Sequence, residues 1–354
     1  MRLVPPRRPL PARPAHSGRP GPTLVPRPRA LTLVVAVVLA ALIAGCGGGA
    51  GAGARRLHDA TLVLDFTPNA VHAGIYSALA RGYDRGAGVR LHVLAPSAST
   101  DSLKLLQAGR ANFAILDIHD LAIARERGED VVGIMAIVQR PLAAVIAAPQ
   151  IGSPRELAGR TVGVTGVPSD NAVLRSIVAG SGGNPRRVKT ITIGFNAVAA
   201  LLSGRVAAAT AFWSDEGVTL KRRRPGFHVF HVEDFGGPSY PELVLCTTRA
   251  SLRGNPQRAR AVVGALVRGY GVTVSDPRAS GADLEHRVPG LDPSLVTAEL
   301  GALSPALRAP DGKVGELDLR TLHTWSAWEA RLGIVARRPD ISAMFDPDLV
   351  PGAS

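Results

Sequence analysis

The chain is poor in cysteine, with two in 354 residues, and poor in aromatic residues, at 4%. Two cysteines, Cys46 and Cys246, cannot staple a small fold or supply a CxxC metal or redox motif. GxSxG, the P-loop, HExxH and a complete GxGxxG are also missing, which removes the motif-based arguments for a hydrolase, an NTPase, a zinc protease or a dinucleotide enzyme. The formal charge of +13 is not organised for nucleic acid, because no stripe of basic and aromatic residues accompanies it. The one dense basic run, Lys221–Arg224, precedes Pro225 and Gly226 and reads as the solvated end of a helix. What is present is a hydrophobic fraction of 46%, enough for one or two well-buried domains.

The first residues read as an export signal. Met1–Ala30 carries seven arginines and no acidic residue, and Leu31–Ala44 is an uncharged run of fourteen. A bilayer-spanning helix needs about 20 residues, so this run suits the h-region of a signal peptide. Ile43-Ala44-Gly45-Cys46 resembles the bacterial lipobox, cut before a cysteine that takes a lipid. The glycine-rich stretch Gly47–Ala54 would serve as its tether. The expectation is a signal peptide over 1–45, lipid on Cys46, a flexible tether over 46–58, and a location on the extracytoplasmic face of the membrane. An uncleaved anchor and simple secretion are the alternatives. Removing the seven arginines lowers the charge to about +6, and lipidation would leave Cys246 without an intrachain partner.

From Thr61 onward, short apolar runs alternate with helical stretches, the pattern of an α/β protein. Strands are expected over Thr61–Asp65, Val89–Leu94, Phe113–Leu116, Thr161–Thr165, Lys189–Ile193 and Ala207–Phe212. Helices are expected over Asn69–Ala80, Thr100–Ala108, Ser169–Ala179 with Ser169 as N-cap, and Pro256–Val274. The chain echoes itself, then returns through Leu243–Thr247. This predicts two α/β lobes, 59–147 with 245–354 and 148–244, crossing near Ala143–Ala148 and Leu243–Thr247. A cleft between such lobes is a natural ligand site; a single larger α/β domain is the alternative.

Three polar and aromatic clusters lie beyond strands, where open α/β sheets bind ligands. The first contains Asp65, Phe66, Asn69, His72 and Tyr76, in which His72 is either a site residue or a satisfied core histidine. The second is Trp213 with Glu216: a stacking face and a carboxylate, or a core anchor and a solvated first-turn acid. The third is the loop ending at Tyr240, which either presents its ring or packs it. The turn at Gly166 offers backbone N–H groups at a helix start, or is simply a tight turn.

These segments resemble the NMT1/THI5-like family of periplasmic-type binding proteins, which feed thiamine-pyrimidine precursors and sulfonates to importers. The resemblance is carried by DFTPNAVHAGIY at Asp65–Tyr76, GVTGVPSD at Gly163–Asp170, FWSDEG at Phe212–Gly217 and Ser239-Tyr240. It implies a type II periplasmic binding protein fold, a small-molecule ligand, an ABC permease with its ATPase as partners, and no cofactor or metal. It also implies that Asn69 and His72 bond ring substituents, Trp213 and Tyr240 sandwich the ring, and Glu216 meets the pyrimidine edge. Phe66 and Ser214 replace the family's usual Trp and Asn, so the ligand could be a different nitrogen heterocycle, riboflavin, a sulfonate or another small nutrient. The family's pyrimidine-synthesising enzymes carry a CCCFC segment that this sequence lacks, which favours binding over catalysis; a sensor lipoprotein is a further alternative.

Overall fold

A computed structural model describes residues 57–309 and 311–352. The expected signal peptide, Cys46 and most of the tether lie outside the described residues. Among the described residues no helix is long and apolar enough to cross a membrane.

Ten strands follow in order: β1 (His58–Val63), β2 (Val89–Leu94), β3 (Phe113–Asp117), β4 (Val131–Ala136), β5 (Ala143–Ala147), β6 (Thr161–Val164), β7 (Lys189–Thr192), β8 (Ala208–Phe212), β9 (His228–His231) and β10 (Leu243–Thr248). They form two five-stranded sheets, ordered β2-β1-β3-β10-β4 and β7-β6-β8-β5-β9. In each sheet the first three strands run parallel, and the fourth, β10 in one and β5 in the other, inserts antiparallel. β5 inside the second sheet and β4 at the edge of the first are unbroken apolar runs buried at every position, as strands covered on both faces are.

The expected α/β architecture of two lobes joined by two crossings is therefore the one adopted. The crossings themselves are displaced from their expected places. Ala143–Ala147 pairs with β8 and β9 and so belongs to the second sheet, and the first crossing runs through Gln139-Arg140-Pro141 just before it. The return passes through the segment before β10. Glu242 binds the crossings together: its Oε2 accepts the N–H groups of Leu142 and Ala143 at 2.8 and 3.0 Å.

The C-terminal helices pack on the first lobe. In the long helix Pro256–Ser275, Tyr270 crosses the helix Ala73–Ala80 at Gly74, where a Cβ would overlap the tyrosine ring. The Tyr270 hydroxyl donates to the Val71 carbonyl at 2.8 Å, so Gly74 permits the contact that fixes the segment carrying Asn69 and His72. Further on, the helix Leu319–Arg331 buries Trp325 and Trp328 in a core that includes side chains from both sheets.

Candidate functional site

At the end of β1 the chain turns out of the first sheet at Asp65 and Phe66. Asn69 then caps a short 3-10 turn, Ala70–His72, with its side chain accepting from Val71 N at 3.0 Å. His72 completes a capping box, its Nδ1 accepting Asn69 N–H at 3.2 Å, which leaves Nε2–H to donate to Asp65 Oδ1 at 3.0 Å. Asn69 Nδ2 in turn reaches across the cleft and donates to Asp215 Oδ2 at 2.6 Å. The densest sequence cluster is thus a local scaffold that aims Asp65 and fixes Asn69 against the opposite lobe.

The second lobe contributes the turn after β6. Gly166 has φ +108°, a left-handed conformation that glycine adopts without steric cost. Asp170 organises the turn, accepting from Gly166 N at 3.0 Å, Thr165 Oγ1 at 2.7 Å and Thr210 Oγ1 at 2.7 Å. The helix that follows is Pro168–Gly180, with Pro168 at its first turn and Val167 rather than Ser169 as N-cap. Val167 has no side-chain oxygen to offer. Asp120 of the first lobe accepts from Ser169 N and Ser169 Oγ, both at 3.2 Å, and so caps the helix from across the cleft.

Between these walls lies a cavity of about 390 Å³. Asp65, Asp117, Asp120 and Glu129 line it from the first lobe and Asp170 and Glu216 from the second, together with Phe66, Phe195 and Phe212. The lining cations, Lys104 and Arg127, are both exposed. Burial lifts the Asp120 carboxyl to about 7, although the Ser169 N–H holds it back. Burial and then the neighbouring Asp215 charge lift Glu216 to about 8, and burial likewise raises Asp170 despite its three donors. Asp117 is raised well above the carboxylate range by burial and by its contact with Glu242. Such a lining favours a ligand that donates N–H groups, and it disfavours an anion. The rings of Phe66 and Phe195 meet across the cleft edge-to-face, centroids 4.3 Å apart and planes at 67°.

Of the nine residues singled out in the sequence for the ligand, Asp65, Phe66, Gly166 and Glu216 line this cavity. Asn69, His72, Tyr76, Trp213 and Tyr240 are not among its lining. Tyr76 is buried in the first-lobe core, its phenol pushed up to about 12 by burial. The expected sandwich of a ring between Trp213 and Tyr240 is not the arrangement found. Trp213 lies against the rim of that core and His231, with Nε1 donating to the Pro141 carbonyl at 2.9 Å. Tyr240 is fully buried, its hydroxyl 3.0 Å from His119 Nε2 and its ring packed near Trp328. The indole and phenol are large apolar bodies with one polar tip, and here the protein itself satisfies both tips.

Asp117, Asp120 and Phe195 line the cavity without having been singled out, and Phe212, named only as part of the FWSDEG segment, lines it too. Asp117 and Asp120 sit in Asp117-Ile118-His119-Asp120 at the end of β3, so the strand-end rule that chose Asp65 applies equally to them. Asp117, His119 and Glu242 each bring one possible metal-ligand atom within 4.8 Å of the others. His119 is already committed, however, with Nδ1 2.7 Å from Glu329 Oε2 and Nε2 on Tyr240, which leaves two carboxyls rather than a three-ligand site.

The NMT1/THI5 like family model matches residues 69–280. A formylaminopyrimidine-binding protein of Halalkalibacterium halodurans is 28% identical over 303 residues, 83% of this chain and 92% of that protein. The riboflavin-binding protein RibY of Chloroflexus aurantiacus is 26% identical over 62% of this chain and 64% of its own length. Among solved structures, the alkanesulfonate-binding protein SsuA of Xanthomonas axonopodis pv. citri superposes with a TM-score of 0.66 at 16% identity, covering 81% of this chain and 98% of that one. The fold is thus shared with a sulfonate binder whose sequence is distant, while the family match spans more than half of the chain. This chain belongs to the NMT1/THI5-like family.

Proposed function

We propose that the protein is a lipid-anchored, extracytoplasmic substrate-binding protein that captures a small planar nitrogen heterocycle and delivers it to an ABC importer. The observation that carries this reading is the cavity lining: six carboxyl groups and three phenyl rings, with both lining cations exposed. A ring bearing an amine or ring N–H satisfies the carboxyls and stacks on the phenyl faces, whereas a sulfonate or nitrate would add negative charge beside Asp117, Asp120, Asp170 and Glu216, whose ionisation burial already opposes. A pyrimidine like that named for the Halalkalibacterium relative fits this chemistry, and a flavin ring is the second candidate. Binding rather than turnover is favoured because the sequence has no CCCFC segment and the buried Cys246 thiol is pushed up by burial, away from nucleophilic use.

Native mass spectrometry of the protein purified from its own cells tests the reading. The expected result is a retained adduct whose mass and fragments identify a nitrogen heterocycle. A retained sulfonate would overturn the ligand class, and an accumulating reaction product would overturn binding without turnover.

A further inference from the structure

One acid at the cavity wall has an oxygen that the protein leaves unmet. Asp117, at the end of β3, lines the cavity and receives one protein donor among the described residues, His119 N on Oδ1 at 2.8 Å. Glu242 is fully buried beside that wall: its Oε2 accepts from Leu142 N and Ala143 N, and Ala143 and Leu243 both line the cavity. The other oxygen, Glu242 Oε1, has no hydrogen-bond partner among the described residues. A buried carboxyl oxygen without a donor is costly, so it points to a further group that completes it. Asp117 and Glu242 each bring an oxygen within 4.8 Å of the other's.

The surroundings supply no counter-charge. Asp117, Asp120, Asp170, Glu216 and Glu242 form no ion pair with Lys, Arg or His among the described residues. His119, the one base in the cluster, has its ring nitrogens held by Glu329 and Tyr240. The faces of Phe66, Phe195 and Phe212 attract positive charge as well. Space is not limiting: a cavity of about 150 Å³ accommodates a single six-membered ring, and this one measures about 390 Å³.

We propose that Asp117 and Glu242 form a cation subsite in the cavity wall, filled by a positively charged N–H group of the ligand. Asp117 accepts the N–H bond, and Glu242 is a positioning residue whose charge holds the cation there. The proposal rests on the reading of this cavity as the ligand site and narrows the ligand class. The ring is bound as a cation, through an amidinium edge, a protonated ring nitrogen or an ammonium substituent. Burial, and then the charge of Glu242, oppose ionisation of Asp117, and a cation beside the pair offsets that opposition. Two carboxyls without a free imidazole make a poor site for a transition metal, whereas an N–H cation needs only acceptors.

Benzamidine and benzamide test this on the mature chain, because both are flat, their shapes nearly match, and only benzamidine is cationic at neutral pH. In calorimetric titration benzamidine should bind about 10- to 100-fold more tightly. Glu242→Gln and Asp117→Asn keep an acceptor for the Leu142, Ala143 and His119 N–H groups and remove the charge. Each should bring the benzamidine-to-benzamide ratio down toward equality, and circular dichroism shows whether each is folded. A purely structural role would weaken both probes and leave the ratio unchanged. Failure of the wild type to bind benzamidine, or equal binding of both probes, would overturn the proposal, as would a ratio that survives in a folded variant. A stoichiometric zinc site abolished by both substitutions would overturn it in favour of a metal. Benzamidine has no ring nitrogen, so this preference can fail while the native protein still retains a heterocycle, and it can hold where the retained ligand is not one.

Discussion

Phe195→Ala probes the cavity where its two walls touch. Phe195 of the second lobe meets Phe66 of the first, with ring centroids 4.3 Å apart. Such a pair is worth about 0.5–1.5 kcal/mol beyond the area it covers. Stacking of a heterocycle on an aromatic contributes roughly 1–3 kcal/mol per ring, so if the ligand uses the Phe195 face, truncation removes that as well. The two terms overlap, because a ligand lying between the rings replaces their contact. The expected net loss is therefore about 1.4–2.7 kcal/mol, or roughly 10- to 100-fold in affinity. Phe195→Leu keeps most of the apolar area without the ring and should fall between. Phe195 is half-buried and belongs to no core cluster, so the melting temperature of the free protein should move by no more than about 4 °C. Isothermal titration of an aminopyrimidine into the three proteins provides the readout. An affinity within twofold of wild type in a folded Phe195→Ala protein would refute the role of this ring.

Three other outcomes follow from single residues. Gly74→Ala places a methyl into the Tyr270 ring and should destabilise the first lobe by about 1–3 kcal/mol, visible as an earlier thermal transition. Gly166→Ala forces an L side chain to φ +108° with its Cβ 3.0 Å from Thr192 Cγ2, and should cost about 1–2 kcal/mol while weakening ligand binding; unchanged melting and binding would show that the turn relaxes freely. Cys46→Ala should abolish metabolic labelling with palmitate and release the protein from membranes, whereas equal labelling of both proteins would exclude lipid on Cys46.

Elements whose pattern is local were legible in the sequence. The apolar runs at β1, β2, β3, β6 and β8 depend on neighbouring residues, and they formed close to where expected. Ala143–Ala147 shows the limit: an all-apolar run marks a strand covered on both faces without saying which sheet covers it, and its partners β8 and β9 lie more than 60 residues away. The site divides the same way. Asp65, Phe66 and Glu216 were found because they stand at strand ends, and Asp117 and Asp120 satisfied the same criterion unnoticed. Trp213 and Tyr240 were expected to hold a ring because the family resemblance implied it. Tyr240 is instead held by His119 and by Trp328, contributed about 90 residues downstream on a helix that carries no sign of its destination. The cross-lobe bond from Asp120 to Ser169 was equally invisible, since the helix brings its own conventional candidate for an N-cap.

The central claim is that an acid-lined, phenyl-walled cleft selects a ligand for its N–H donors and flat face. Its most direct test is competitive calorimetric titration of the mature wild-type chain at neutral pH with hydroxymethylpyrimidine, its formylamino relative, riboflavin and taurine. One of the three heterocycles should bind at least about 100-fold more tightly than taurine, a difference of about 2.7 kcal/mol. Preferential binding of taurine would contradict the account.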